Sequence, residues 1–206
     1  MLRACILATV AGYVDTVGYL RFDAFGGLMT GNTVFLGIAL SSGDYGLALH
    51  YGAIILAFFV GVLMARTLLR FHCQPAVVLT LSAALLVVCA FYDAPSGAIV
   101  LAFAMGAENA AATRFGRVTL NTVFITGNLQ KLGEGIVGLI WPGQGRHAEA
   151  PPPGDVAIFG LVWLSYAIGA ALGAAGHAVM SRPLLLPAAV LPFVLLRRRT
   201  VPAAAQ

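Results

Sequence analysis

The sequence predicts an all-α membrane protein, a polytopic bundle of six to eight transmembrane helices forming one membrane domain over residues 1–206. Three observations predict it. Hydrophobic residues make up 60% of the chain and charged residues 10%, against about 25% charged in a soluble domain. So few charges cannot cover a core, and the excess apolar side chains must face lipid. Residues 156–181 and 71–92 contain no Asp, Glu, Lys or Arg, and 45–65 holds only His50 as a chargeable group. Crossing about 30 Å of hydrocarbon takes roughly 20 mostly apolar residues. A buried helix of a soluble protein explains one such run, not several. Most connections between the runs are short, so neighbouring helices are expected to pack antiparallel.

The elements follow in order. Residues 4–20 form the first segment, interrupted by Asp15. A charge followed by an apolar run resembles a secretory leader, but Asp15 breaks the run and the segment has a counterpart deep in the chain. Residues 28–42 are short and contain Gly31 and Gly37. Residues 50–69 carry the small pair Gly61 and Ala65, which lets helix backbones approach closely in lipid. Residues 76–92 and 96–112 follow, the latter with Glu108 and Asn109. Residues 118–141 hold Asn121, Asn128, Lys131 and Glu134. The last two are three residues apart and predict an ion pair along one helix face. Residues 142–155, with Pro151, Pro152 and Pro153, read as an exposed loop. Residues 156–180 carry Gly169, Gly173 and Gly176 as a packing face, with intramolecular contact the default and a homo-oligomer the alternative. Residues 184–196 are short and contain Pro187 and Pro192. The tail beyond Thr200 reads as disordered.

Several function classes find no support. The net charge of +4 is scattered between apolar segments, which does not suggest nucleic acid. The cluster Arg197, Arg198 and Arg199 reads as a headgroup anchor. Cys5, Cys73 and Cys89 have no metal or redox spacing, and His50, His72, His147 and His177 share no ligand pattern, so neither a metal nor a cofactor is expected. The chain has no GxSxG, no HExxH and no P-loop, so an enzyme is not expected.

The chain repeats itself, over about 4–92 and 96–197. Gly12-Tyr13-Val14-Asp15 is followed by Met29-Thr30-Gly31-Asn32, and Gly106-Ala107-Glu108-Asn109 by Ile125-Thr126-Gly127-Asn128. Leu36-Gly37 and Leu132-Gly133 then follow at equal offsets. Phe58-Phe59-Val60-Gly61 corresponds to Tyr166-Ala167-Ile168-Gly169. Each match alone is weak, and their shared order argues for duplication. With four crossings per half the repeats would be parallel, and with three they would be inverted. Were all eight segments to cross, Arg21, Arg66, Arg70, Arg114, Arg117 and Arg182 would fall on one side, opposite Arg3, Arg146 and the terminal arginines.

These same residues carry a resemblance. Ala11 to Asp15, Met29 to Thr33, the phenylalanines before Gly61, Gly106 to Asn109 and Thr126-Gly127 resemble the YoaK family of uncharacterised bacterial membrane proteins, a domain of unknown function. The resemblance implies a multi-pass protein of the bacterial inner membrane with no established activity.

Ionisable groups at membrane depth cost about 2.5–3.5 kcal/mol each on insertion scales. The candidate substrate-binding residues are therefore Asp15, Thr30, Gly31, Asn32, Glu108, Asn109, Thr126, Gly127 and Asn128. A Thr-Gly-Asn in each half reads either as a broken helix, the geometry from which many transporter sites are built, or as a helix cap or tight crossing. The first reading predicts a secondary transporter or permease for a small solute or ion. In it Asp15 is the coupling carboxylate, Glu108 its partner and the asparagines the lining. The second predicts a non-transporting scaffold or assembly factor locked by the same groups. Apart from such a solute, the bilayer is the expected partner.

Overall fold

The computed structural model describes residues 1–111, 114–115, 118–119, 125–141 and 151–194. The architecture is all-α: α1 (Leu2–Phe22), α2 (Met29–Ser41), α3 (Tyr45–Arg70), α4 (Pro75–Ala90), α5 (Gly97–Ala111), α6 (Ile125–Ile140), α7 (Pro153–Val179) and α8 (Leu185–Val190), the last running into a 3-10 turn at Leu191–Val194. Between α5 and α6, β1 (Arg114–Phe115) and β2 (Val118–Thr119) pair antiparallel. Helices α3 and α7 are long and apolar enough to cross a membrane, while α2, α4, α5 and 185–194 are shorter apolar helices. Their outward faces present Leu49, Leu56, Phe59, Leu164 and Leu172. That continuous apolar exposure is abnormal for a water-facing surface and suits lipid.

Local chemistry explains where the elements begin. The Asp44 carboxylate accepts from the Leu47 N–H at 2.9 Å and caps α3. Pro75 and Pro153 open α4 and α7, where a missing N–H costs nothing. Helix α7 therefore starts inside the stretch expected to be loop, three residues ahead of the expected 156. Of the expected segment 118–141, the described residues are helical over Ile125–Ile140, and Val118–Thr119 pair as a strand. Val118 and Thr119 are β-branched and prefer extended backbone. The expected Lys131–Glu134 pair does not form. Lys131 lies over the Phe159 ring at 5.4 Å, and Glu134 accepts from Gln130 Nε2 at 2.8 Å. Asn121, Arg117, Arg146, His147 and the terminal arginines lie outside the described residues.

Helix directions follow from which ends meet. Arg21, at the C-terminal end of α1, donates to Ala90 O at the end of α4 (3.2 Å) and pairs with Asp93. Arg182, just past α7, donates to the same carbonyl at 2.7 Å. A Cβ at Gly97, the first residue of α5, would meet the Phe22 ring at 2.9 Å. Tyr51, early in α3, donates to Asp23 O at 3.0 Å. One end of the bundle thus holds the ends of α1, α4 and α7 and the starts of α3 and α5. Helices α1 and α5 run in opposite directions.

Helix α2 does not cross. It starts level with Asp15, seven residues or about 10 Å inside the end of α1, and the short turn 42–44 delivers it to α3 at the end that α1 had reached. Its 13 residues span only about 20 Å. Helix α6 behaves alike from the opposite end. Ile125 clusters with Ala4, Ala8, Phe159 and Val162, inside the bundle, and Gly135 lies against Val156 and Pro151 near the start of α7. This overturns the grouping of basic residues expected for eight crossings: Arg66 and Arg70, at the far end of α3, lie opposite Arg21 and Arg182.

The long helices lock in two glycine crossings. A Cβ at Gly12 would collide with Tyr166 O of α7, and one at Gly169 with Thr9 O of α1. A Cβ at Gly106 would collide with Phe58 O of α3, and one at Gly61 with Phe103 O of α5. Positions paired by the sequence, Gly12 with Gly106 and Gly61 with Gly169, make matching contacts. Gly173 and Gly176 close on Tyr13 in the same way, so this small-residue face is used within the chain.

Candidate functional site

Asp15, Asn32 and Tyr166 meet where α2 begins. Asp15, on the buried face of α1, is 2% exposed. Its Oδ1 accepts from the Gly27 N–H at 2.6 Å and the Leu28 N–H at 3.2 Å. Backbone N–H groups at a helix start have no intrahelical acceptor, and in an apolar interior each must find one. The carboxylate supplies it, at the helix end where a negative charge is favoured. Oδ2 accepts from the Tyr166 hydroxyl at 2.7 Å, tying α7 to the same point.

Asn32 completes the turn. Its Oδ1 accepts from the Phe25 N–H at 2.9 Å and its Nδ2 donates to Phe25 O at 2.8 Å, so one fully buried amide replaces both ladder bonds that a neighbouring strand would give Phe25. Gly31 lets the Phe25 ring lie on the first turn of α2, since a Cβ there would meet the ring at 2.7 Å. Thr30 faces outward and is exposed.

The second half places its residues comparably. Thr126 and Gly127 are exposed and Asn128 is buried, the same alternation as Thr30 and Asn32. Glu108 and Asn109 sit on the buried face of α5, Glu108 fully enclosed and Asn109 8% exposed. Glu108 lies within Coulombic reach of Asp15. Among the described residues neither carboxylate oxygen of Glu108 has a hydrogen-bond partner, and neither has Oδ1 of Asn109. The two acidic residues are thus brought together and differ: Asp15 is saturated and Glu108 is bare.

Of the nine residues the sequence nominates, Asp15, Asn32, Glu108, Asn109 and Asn128 are buried, Gly31 is partly so, and Thr30, Thr126 and Gly127 face outward. Sequence reasoning missed Tyr166 and the Phe25 backbone. Tyr166 stands at the position the sequence aligns with Phe58, and the one atom by which it differs, its hydroxyl, is the atom that reaches Asp15. Among the described residues no group of three His, Cys, Asp or Glu is placed to hold a metal ion. The apolar groove of about 430 Å³ between α1, α7 and α8, lined by Ile6, Val10, Leu172, Val179 and Leu186 among others, contains none of the nominated residues.

The chain is similar to the UPF0700 transmembrane protein YoaK of Bacillus subtilis (strain 168), 27% identical over 150 residues that make up 66% of this chain and 67% of that protein. No solved structure matches. Residues 3–196 match the family described as Protein of unknown function (DUF1275), and the chain is an integral membrane protein belonging to that family.

Proposed function

We propose that this protein is a multi-pass secondary transporter or permease of the bacterial inner membrane, moving a small solute or ion through a polar centre between two duplicated halves. One observation carries the reading: a helix that starts at mid-depth, α2, on the buried carboxylate Asp15 of α1, with a second buried carboxyl, Glu108 of α5, in electrostatic reach of Asp15. Discontinuous helices with polar ends inside the bilayer are the usual material of transporter sites. The opposed directions of α1 and α5, and of α2 and α6, fit inverted repeats over about 4–92 and 96–197. Such halves would present alternating access by exchanging conformations. Arg3, Arg66 and Arg70 at one end against Arg21 and Arg182 at the other favour an N-terminus inside. The reading involves no enzymatic step and no cofactor, and it makes the bilayer the protein's partner.

A second reading has its own support. Every oxygen of Asp15 is engaged in holding α2 and α7, which is what a polar clamp in a non-transporting scaffold would show. Purified protein in liposomes, screened for uptake against a panel of metabolites and ions, separates the two. Uptake above protein-free liposomes, lost in a variant that folds normally, supports transport. A folded wild type that moves no member of the panel favours the scaffold.

A further inference from the structure

We infer that Glu108 is the proton-binding residue of this bundle, taking up and releasing a proton at its own carboxyl while Asp15 stays fixed in its hydrogen bonds. The inference rests on the transport reading and reverses the roles expected of the two acids.

The geometry distinguishes them. Asp15 accepts three hydrogen bonds from α7 and from the chain entering α2, so protonating it would disrupt the start of α2. Glu108 is fully buried and neither of its oxygens is bonded, so no contact that shapes the bundle is lost when its charge changes. An isolated ionised carboxylate in an apolar interior is far costlier than the neutral acid. Among the described residues no cation lies in reach to offset it. From α1 the charged group in reach is Asp15, which repels. From α3 and α4, Ala65 and Val78 pack on Ala107 and Ala110, which flank Glu108 in α5. Cys89 of α4 lies at the other end of α5, with its Sγ 3.7 Å from Gly97 O. From α7, the Tyr166 hydroxyl is already committed to Asp15.

A metal cation fits less well. Sodium, potassium or calcium needs several converging oxygens, and the described oxygens not yet engaged here are those of Glu108 and Oδ1 of Asn109. A proton needs one carboxyl. Once it binds to an Oε, the acid is neutral and its O–H can donate; once it leaves, the negative charge faces Asp15 across α1 and α5, which pushes the two helices apart. Proton occupancy is thereby linked to how α1 and α5 sit against each other.

The test is an infrared titration of the purified full chain in lipid, following the C=O band of a protonated carboxyl as pH is raised from neutrality, where exposed acids such as Asp93 are already ionised. In wild type the band should disappear in a single step, and in Glu108→Gln it should be absent while the helical content is unchanged. The melting temperature of wild type should fall as pH rises through that step, and that of Glu108→Gln should stay flat. A band that persists in Glu108→Gln, or a wild type with no such band at any pH, overturns the assignment. Liposomes carrying a trapped pH dye under an imposed proton gradient, run with and without the solute panel, keep the two claims apart. If Glu108 titrates but no solute moves, transport fails and the proton site stands. If solute uptake and its pH dependence survive Glu108→Gln, the proton site fails and transport stands.

Discussion

Helix α3 contains its own control for the glycine crossings. Gly61 and Gly52 both lie on it, nine residues apart. A Cβ at Gly61 would collide with Phe103 O and lie 3.1 Å from Ala107 N, whereas a Cβ at Gly52 meets nothing among the described residues. In isolation each Gly→Ala change favours the helix by about 1 kcal/mol. At Gly52 that gain should appear undiminished. At Gly61 the obstruction is backbone, which cannot rotate aside, so α3 and α5 must separate by about 1 Å. Such a gap forfeits roughly a quarter to a half of each dispersion contact, and with about 40 atom pairs at ~0.15 kcal/mol each the loss is about 2 kcal/mol. Gly61→Ala should therefore end about 1 kcal/mol below wild type and Gly52→Ala about 1 kcal/mol above, both within the normal range for point changes. Equilibrium unfolding in mixed micelles, followed by circular dichroism, reads the difference. A Gly61→Ala protein as stable as Gly52→Ala would falsify the close crossing of α3 on α5.

Other outcomes follow from the same geometry. Asp15→Ala strands the Gly27 and Leu28 N–H groups and the Tyr166 hydroxyl; at about 1–3 kcal/mol for each buried unsatisfied group, it should cost at least about 3 kcal/mol, seen as a large fall in melting temperature in detergent. Tyr166→Phe takes from the buried Asp15 Oδ2 its donor, and should cost about 1.5–3 kcal/mol in the same assay. Asp93→Asn should change stability by less than about 1 kcal/mol, because the Asp93 side chain is 75% exposed and pairs with Arg21 and Arg182 at the bundle surface. In a cysteine-free background, single cysteines at Gly43 and His72 should react with an impermeant maleimide from opposite sides of the membrane. Labelling of both from one side would contradict the opposed ends assigned to α3.

The sequence made the membrane class legible because composition is a bulk property: sparse charge and uncharged runs exclude a water-facing surface whatever the topology. It also located the glycine faces, since Gly61, Ala65, Gly169 and Gly173 lie at helical spacing. Direction was not legible. Whether residues 28–42 cross or turn back depends on where their first N–H groups find an acceptor, and that acceptor, Asp15, sits on another helix. Lys131 and Glu134 illustrate the same limit: spacing put them on one face, but the Phe159 ring of α7 and Gln130 offered other partners. The candidate site was legible as a set of costly polar residues. Which of them are satisfied was not, because Asp15 and Glu108 look equivalent until Tyr166 and Phe25–Leu28 are placed.

The crossings impose an order on synthesis. Helix α1 leaves the ribosome first, yet the helix that closes over Gly12 is α7, made some 150 residues later. At a typical elongation rate of about 5–20 residues per second, the first helix spends on the order of ten seconds in the membrane with its glycine face and Asp15 uncovered. Helices α3 and α5 meet sooner, so the bundle should assemble around them and receive α1 and α7 last. A nascent chain stopped before α7 then exposes an intramembrane carboxylate and a bare glycine groove, the kind of surface that quality-control proteases and insertion chaperones act on. Truncations of this protein should be cleared from the membrane rather than persist as half-size bundles.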